Sequence, residues 1–162
     1  PRVDASAYPL PTSDIVALLV FDHQGRAMNL LTRLGWEARV AAAEGRLDVA
    51  SGELRDLVRA TAEYLLFVDE VPLTAPVQGV SEFAATFATA GPRDRQGRSL
   101  RELDLKTNLF RYRCSYMIYS PAFDALPATA RAALYAEMER VLSRRDDRAV
   151  MAILDDTRKG WR

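Results

Sequence analysis

The chain has 162 residues, 49% of them hydrophobic and 27% charged, which is the balance of one ordinary globular domain with a real core. Lys plus Arg and Asp plus Glu both number 22, so net charge argues for neither a polyanion-binding nor a polycation-binding protein, and this neutrality argues against nucleic acid as a partner. The lone cysteine excludes an internal disulfide framework and a Cys-based zinc finger, and the longest apolar run, 15–21, is too short to span a bilayer.

Residues 1–12 read as an extended, Pro-bearing lead-in, a linker or the start of a mature fragment, and 13–162 as a single helical domain. Ser13 is placed to cap a long first helix, 14–43, because its side chain can accept a first-turn N–H. Val16, Leu19, His23, Ala27, Leu30, Leu34 and Ala38 recur along it at three- and four-residue intervals, the spacing of one buried face. Gly25 and Gly35 lie off that stripe. Ser51 caps a second helix whose apolar set is Leu54, Leu57, Val58, Thr61, Leu65 and Val68, ending before Pro72. A short helix over 81–90 follows and is closed by Gly91-Pro92. The sequence SLRE, 99–102, matches a capping box. Ser120-Pro121 and Leu126-Pro127 each set proline at a first helical position, giving helices over 121–126 and 128–144. A last helix over 148–158 is capped by Asp147.

The stretch 110–120, FRYRCSYMIYS, is ambiguous. Phe110, Tyr112, Cys114, Tyr116 and Ile118 alternate as a strand would, while Tyr112, Tyr116 and Tyr119 also fit a helical face. A lone strand has no partner elsewhere in the chain, so a helix is expected. The fold class that results is all-α: an irregular bundle of about five to seven helices around a long N-terminal one.

The candidate chemistry starts from His23, the one histidine. On a buried stripe it reads as a core histidine hydrogen-bonded to another helix, or else as a ligand. Zinc and helical di-iron sites lack the ligand sets they need. A b-type haem held between His23 and a methionine is the cofactor to consider, with Met28, Met117, Met138 and Met151 available and Met28 on the same helix as His23. Otherwise no cofactor is expected within this chain. Asp22–Arg26 and Arg33–Glu37 fit i, i+4 ion pairs on a solvated face, and Arg26 and Arg33 could instead line a groove that receives a carboxylate or a partner loop. The basic run Arg93, Arg95, Arg98, Arg101, Lys106, Arg111 and Arg113 is offset by Asp94, Glu102 and Asp104. Cys114 reads as a small buried thiol. No phosphate loop or serine nucleophile elbow occurs.

Two blocks, DIVALLVFDHQGRAMNLLTRLGWEAR and RSLRELDLKTNLFRYRCSYMIYSPAFDALP, together about a third of the chain, resemble the C-terminal helical region of largely uncharacterised bacterial proteins associated with export and cytochrome-like redox proteins. The resemblance implies a place more than a reaction: a helical part of an extracytoplasmic, periplasmic protein. The residues it points to are His23, Arg33 and Glu37 in the first block. In the second they are Arg101, Asp104, Lys106, Tyr112, Cys114, Tyr116, Tyr119 and Ser120.

From the residues and the resemblance together, the chain is expected to be a non-catalytic accessory or protein-interaction domain. It would dock on a protein partner or on the remainder of a larger chain. The alternative is a helical protein holding a small ligand or b-type haem at His23. The residues expected at such a ligand or partner site are His23, Arg26, Arg33, Glu37, Arg111, Tyr112, Cys114 and Tyr116, with no catalytic or metal-binding residue among them. The two blocks are expected to pack together, with His23 bonded to a polar group of the second.

Overall fold

The computed structural model describes residues 12–161. The expected lead-in, 1–12, lies outside them apart from Thr12. Among the described residues the chain is all-α, with no strand. In order come α1 (Ile15–Ala43), α2 (Gly52–Leu65), α3 (Phe83–Thr89), a 3-10 turn (Tyr116–Tyr119), α4 (Pro121–Asp124), α5 (Ala128–Arg145) and α6 (Arg148–Thr157). The long first helix is the axis of the bundle: α2, α3, α4, α5 and the 3-10 turn all pack on it, α5 also covers α2, and α6 closes on α5.

Asp14, not Ser13, caps α1. Its Oδ1 accepts from the N–H groups of Val16 (2.8 Å) and Ala17 (3.1 Å). Its Oδ2 accepts from the Ser81 N–H (2.9 Å) and hydroxyl (2.6 Å), so one carboxylate ties the start of α1 to the loop before α3. Those bonds, the Ser81 hydroxyl foremost, hold Asp14 at a pKa of about 2. Gly79 makes room for the arrangement, because a Cβ there would stand 2.7 and 2.9 Å from the two carboxylate oxygens. Gly79→Ala is therefore expected to cost about 1–3 kcal/mol, the range for overpacking a tight site. Thermal denaturation checks this, and a variant as stable as the parent would show that the loop shifts freely.

The buried face of α1 is Val16, Val20, His23, Ala27, Leu31, Leu34, Gly35, Ala38 and Ala41, with Leu19 and Leu30 only partly buried at its margin. Gly35 thus belongs to the core side rather than lying off it. Arg39 crosses it to donate to the Ala125 carbonyl (2.6 Å), and a Cβ at Gly35 would meet the guanidinium at 3.1 Å and Leu126 at 3.5 Å.

Other expectations are corrected by local hydrogen bonding. Helix α3 starts at Phe83 rather than residue 81 because Ser81 is held by Asp14. Ser51 sits at the head of α2 but spends its hydroxyl on Asp48 (2.5 Å) and makes no side-chain cap. At 99–102 only half of the capping box forms: Ser99 N–H donates to Glu102 (3.0 Å), but Ser99 Oγ accepts from the Arg101 N–H (3.2 Å) and not from that of Glu102, and no helix follows. Pro127 lies one position before α5, not inside it.

The stretch 110–120 is not an α-helix. An isolated antiparallel bridge joins Leu103 to Phe110, the chain then runs irregularly, and only Tyr116–Tyr119 form a 3-10 turn. Asp104 explains the bend: its carboxylate accepts from Thr107 N–H (3.0 Å), Thr107 Oγ (2.6 Å) and Asn108 N–H (2.9 Å). The extended part needs no strand partner because the Ser115 N–H donates to the Leu65 carbonyl at the end of α2 (2.7 Å).

Candidate functional site

The C-terminus of α2 is where the second block meets the first. The helix leaves its last carbonyls unbonded. Ser115 N–H takes that of Leu65 (2.7 Å), Arg145 donates to that of Leu66 (2.7 Å), and Arg113 donates to that of Phe67. Two cations at this end also complement the helix dipole. Burial lowers the pKa of Arg145. Held this way, the chain takes left-handed backbone at Phe67 (φ 52°) and Asp69 (φ 59°), neither of them glycine. The twist turns the Phe67 ring inward against His23.

His23 occupies the centre of an aromatic cluster. Its ring lies 5.2 Å from Tyr64, 4.8 Å from Phe67, 5.5 Å from Phe110 and 6.2 Å from Tyr116, centroid to centroid. Nε2 is 2.7 Å from the Ser115 hydroxyl. That oxygen already accepts from the Met117 N–H (3.1 Å), so its own proton is free for the imidazole, which suits the tautomer protonated at Nδ1. Burial lowers the His23 pKa to about 4, against a smaller upward pull from Asp22. The pair has the spacing of a serine nucleophile and its base, but Ser115 is fully buried and its hydroxyl helps cap the 3-10 turn.

Beside His23 opens a pocket of about 400 Å³, walled by Leu19, Tyr64, Phe67 and Leu109 and edged by Asp22, Arg26 and Glu70. Burial raises the Tyr64 pKa to about 12 and that of Glu70 above its ordinary value. None of the four methionines lines this pocket.

The structure gathers only some of the expected site residues. His23 and Arg26 reach the pocket, Arg26 lying 5.0 Å over the Tyr64 ring instead of pairing with Asp22. Arg33 and Glu37 are exposed further along α1, and the expected Arg33–Glu37 ion pair does not form among the described residues. Arg111 pairs with Glu102 (3.0 Å) and lies 5.5 Å over the half-buried Tyr112. Cys114 is fully buried, and burial drives its thiol pKa upward. Tyr116 donates to Gln24 on α1 (3.0 Å) under the Arg101 guanidinium, 4.7 Å from its ring.

Of the remaining second-block residues, Tyr119 shares a 2.6 Å hydrogen bond with Thr157, Ser120 caps α4, and Lys106 is exposed. Tyr64, Phe67 and Glu70 were not anticipated. Tyr64 falls one turn after Thr61 on the face of α2, a signal available in the spacing; the twist at Phe67 and Asp69 leaves none.

A second feature lies on the opposite side of α1. Leu18, Phe21, Gly25, Met28, Thr32 and Trp36 recur at three- and four-residue intervals along the outward face. Phe21 is 71% exposed, Trp36 65%, Leu18 49% and Ile15, beside them, 45%. No helix among the described residues is long and apolar enough to cross a membrane. Comparison with protein-family models, with curated proteins and with solved structures finds no match.

Proposed function

We propose that the chain is a non-catalytic, helical protein-interaction domain whose working surface is the outward face of α1. The observation that carries this reading is the exposed apolar stripe from Leu18 to Trp36. Its apolar side chains expose on the order of 500 Å², near the upper end of what a solitary soluble protein shows without a use for it. A helix needs one apolar stripe to join its own core, and α1 has two. The bacterial, extracytoplasmic and redox-associated setting enters the proposal on the sequence resemblance alone.

The Ser115 hydroxyl is buried and does not line the pocket, so it presents no open nucleophile there. The test is a photo-crosslinking residue at position 36 or 21 of the full chain in its source cells, with one at exposed Arg55 as control. A specific adduct at the stripe and none at Arg55 is expected. No adduct from either stripe position sinks the interaction reading.

The His23 pocket favours a second reading, a small-ligand site. Its lining suits a compact organic molecule better than haem, because Nε2 is engaged by Ser115 and no methionine faces it.

A further inference from the structure

We propose that the partner of the α1 stripe is a second copy of this chain, the two α1 helices crossing antiparallel about a twofold axis level with Ala27. The inference rests on the interaction reading and names its occupant. A twofold interface is self-complementary, so if residue i meets residue j, then j meets i. About an axis at Ala27 the stripe matches itself. Leu18 falls opposite the partner's Trp36, the two largest gaps in the stripe are filled from the other side, and Gly25 falls opposite the partner's Met28. Gly25 has no side chain where the two would approach, and the space in front of it is open in the single chain.

Charge makes the same choice of partner. Asp22 and Arg33 lie on one flank of the stripe, equidistant from Ala27 to within one residue, and both are exposed. Neither has an ion-pair partner among the described residues. In an antiparallel pair each flank meets the same flank of its copy, so Asp22 faces the partner's Arg33 and the reverse contact follows by symmetry. A parallel pair would not bring them together. The apolar side chains of two copies bury on the order of 1,000 Å², which reaches the lower bound for a specific interface before Thr32, Asn29 and the charges are added.

Sedimentation equilibrium of the full chain tests this. A dimer is expected at tens of micromolar, with a concentration-dependent blue shift of tryptophan emission that only Trp36 can supply, because Trp161 is already buried. Asp22→Arg and Arg33→Asp each set like charges against each other and should weaken the dimer about tenfold or more. The double variant, Asp22→Arg with Arg33→Asp, restores opposite charges and should recover most of the loss. Both sites are exposed, and circular dichroism of each variant should match the parent. A monomer at every concentration, or single losses that the double variant does not rescue, overturns the proposal. A monomer whose stripe crosslinks to a different protein leaves the interaction reading standing and removes only the self-pairing. A monomer with no adduct removes both.

Discussion

Phe110→Ala is expected to cost about 3–5 kcal/mol, the largest loss from any single truncation near the site. The ring is 2% exposed and meets four others, His23 of α1 at 5.5 Å, Phe67 after α2 at 5.3 Å, Phe87 of α3 at 6.2 Å and Tyr116 of the 3-10 turn at 5.8 Å. Each pair adds something beyond the area it buries. Truncation would leave a cavity at the point where four segments converge on this ring. Their local constraints, the Asp104 turn on one side and the clamped end of α2 on the other, oppose collapse into it. A domain of this size is stable by only about 5–15 kcal/mol, so the melting temperature should fall by about 10 °C or more. Phe21→Ala, on the exposed face of α1, is the control and should stay within about 0.5 kcal/mol in the dissociated chain. If urea denaturation places the two variants together, the aromatic cluster is not the keystone of this end of the molecule.

The same residue shows where sequence reasoning reached and where it stopped. The helices α1, α2, α5 and α6 were legible because burial on one side imposes a 3.6-residue period, and His23 falls on the buried stripe as its spacing requires. Over 110–120 the pattern misleads through the question of partners: a lone strand is unstable, so the residues predict a helix, and only a 3-10 turn forms. The structure meets the backbone's needs differently. Leu65 at the end of α2 accepts from Ser115, and a single bridge to Leu103 steadies Phe110. Whether an extended segment can borrow a helix terminus is decided by tertiary placement, which no local pattern encodes.

Half of the candidate site was beyond reach for a related reason. The left-handed twist at Phe67 and Asp69, which turns Phe67 toward His23, occurs at residues that carry no signal for it. Two arginines from distant segments enforce it. The second stripe on α1 was hidden by another ambiguity. Leu18, Phe21, Met28 and Trp36 are individually unremarkable beside a buried face, and only a wheel with the true core subtracted shows them in line. Of the i, i+4 charges, Arg26 lies over the face of Tyr64 instead of meeting Asp22, an alternative that helical spacing does not show; nothing in the structure explains why Arg33 and Glu37 stay apart.

Acidification should weaken the fold between pH 6.5 and 4, and His23→Gln should remove most of that slope. The folded pKa of His23 is about 4, because the surrounding rings exclude the water that an imidazolium needs, whereas the unfolded chain titrates near 6.5. Between those values the unfolded state binds more protons than the folded one. Stability is therefore complete above pH 6.5, falls as pH drops through the window, and loses about 3 kcal/mol from this group by its lower edge.

Other groups titrate elsewhere or with the opposite sign. Asp14 and Asp156, each held at about 2, lose their contributions only as pH falls below the ordinary carboxylate value of 3.8. Glu70, raised by burial, binds its proton more readily when folded and so opposes the trend just above the ordinary value of 4.5. The difference between parent and His23→Gln cancels both. His23→Leu should be worse than His23→Gln at neutral pH by about 1–3 kcal/mol, because the Ser115 hydroxyl then has no partner on α1. Urea midpoints at pH 7.5, 5.5 and 4.5 (chosen to bracket the window) read the slope directly, and NMR titration of the single imidazole reads its cause. A parent whose stability is level from pH 7.5 to 4.5, or an imidazole that titrates near 6.5, would mean that water reaches His23 through the pocket. The ring would then be available to a ligand and not committed to holding the two blocks together.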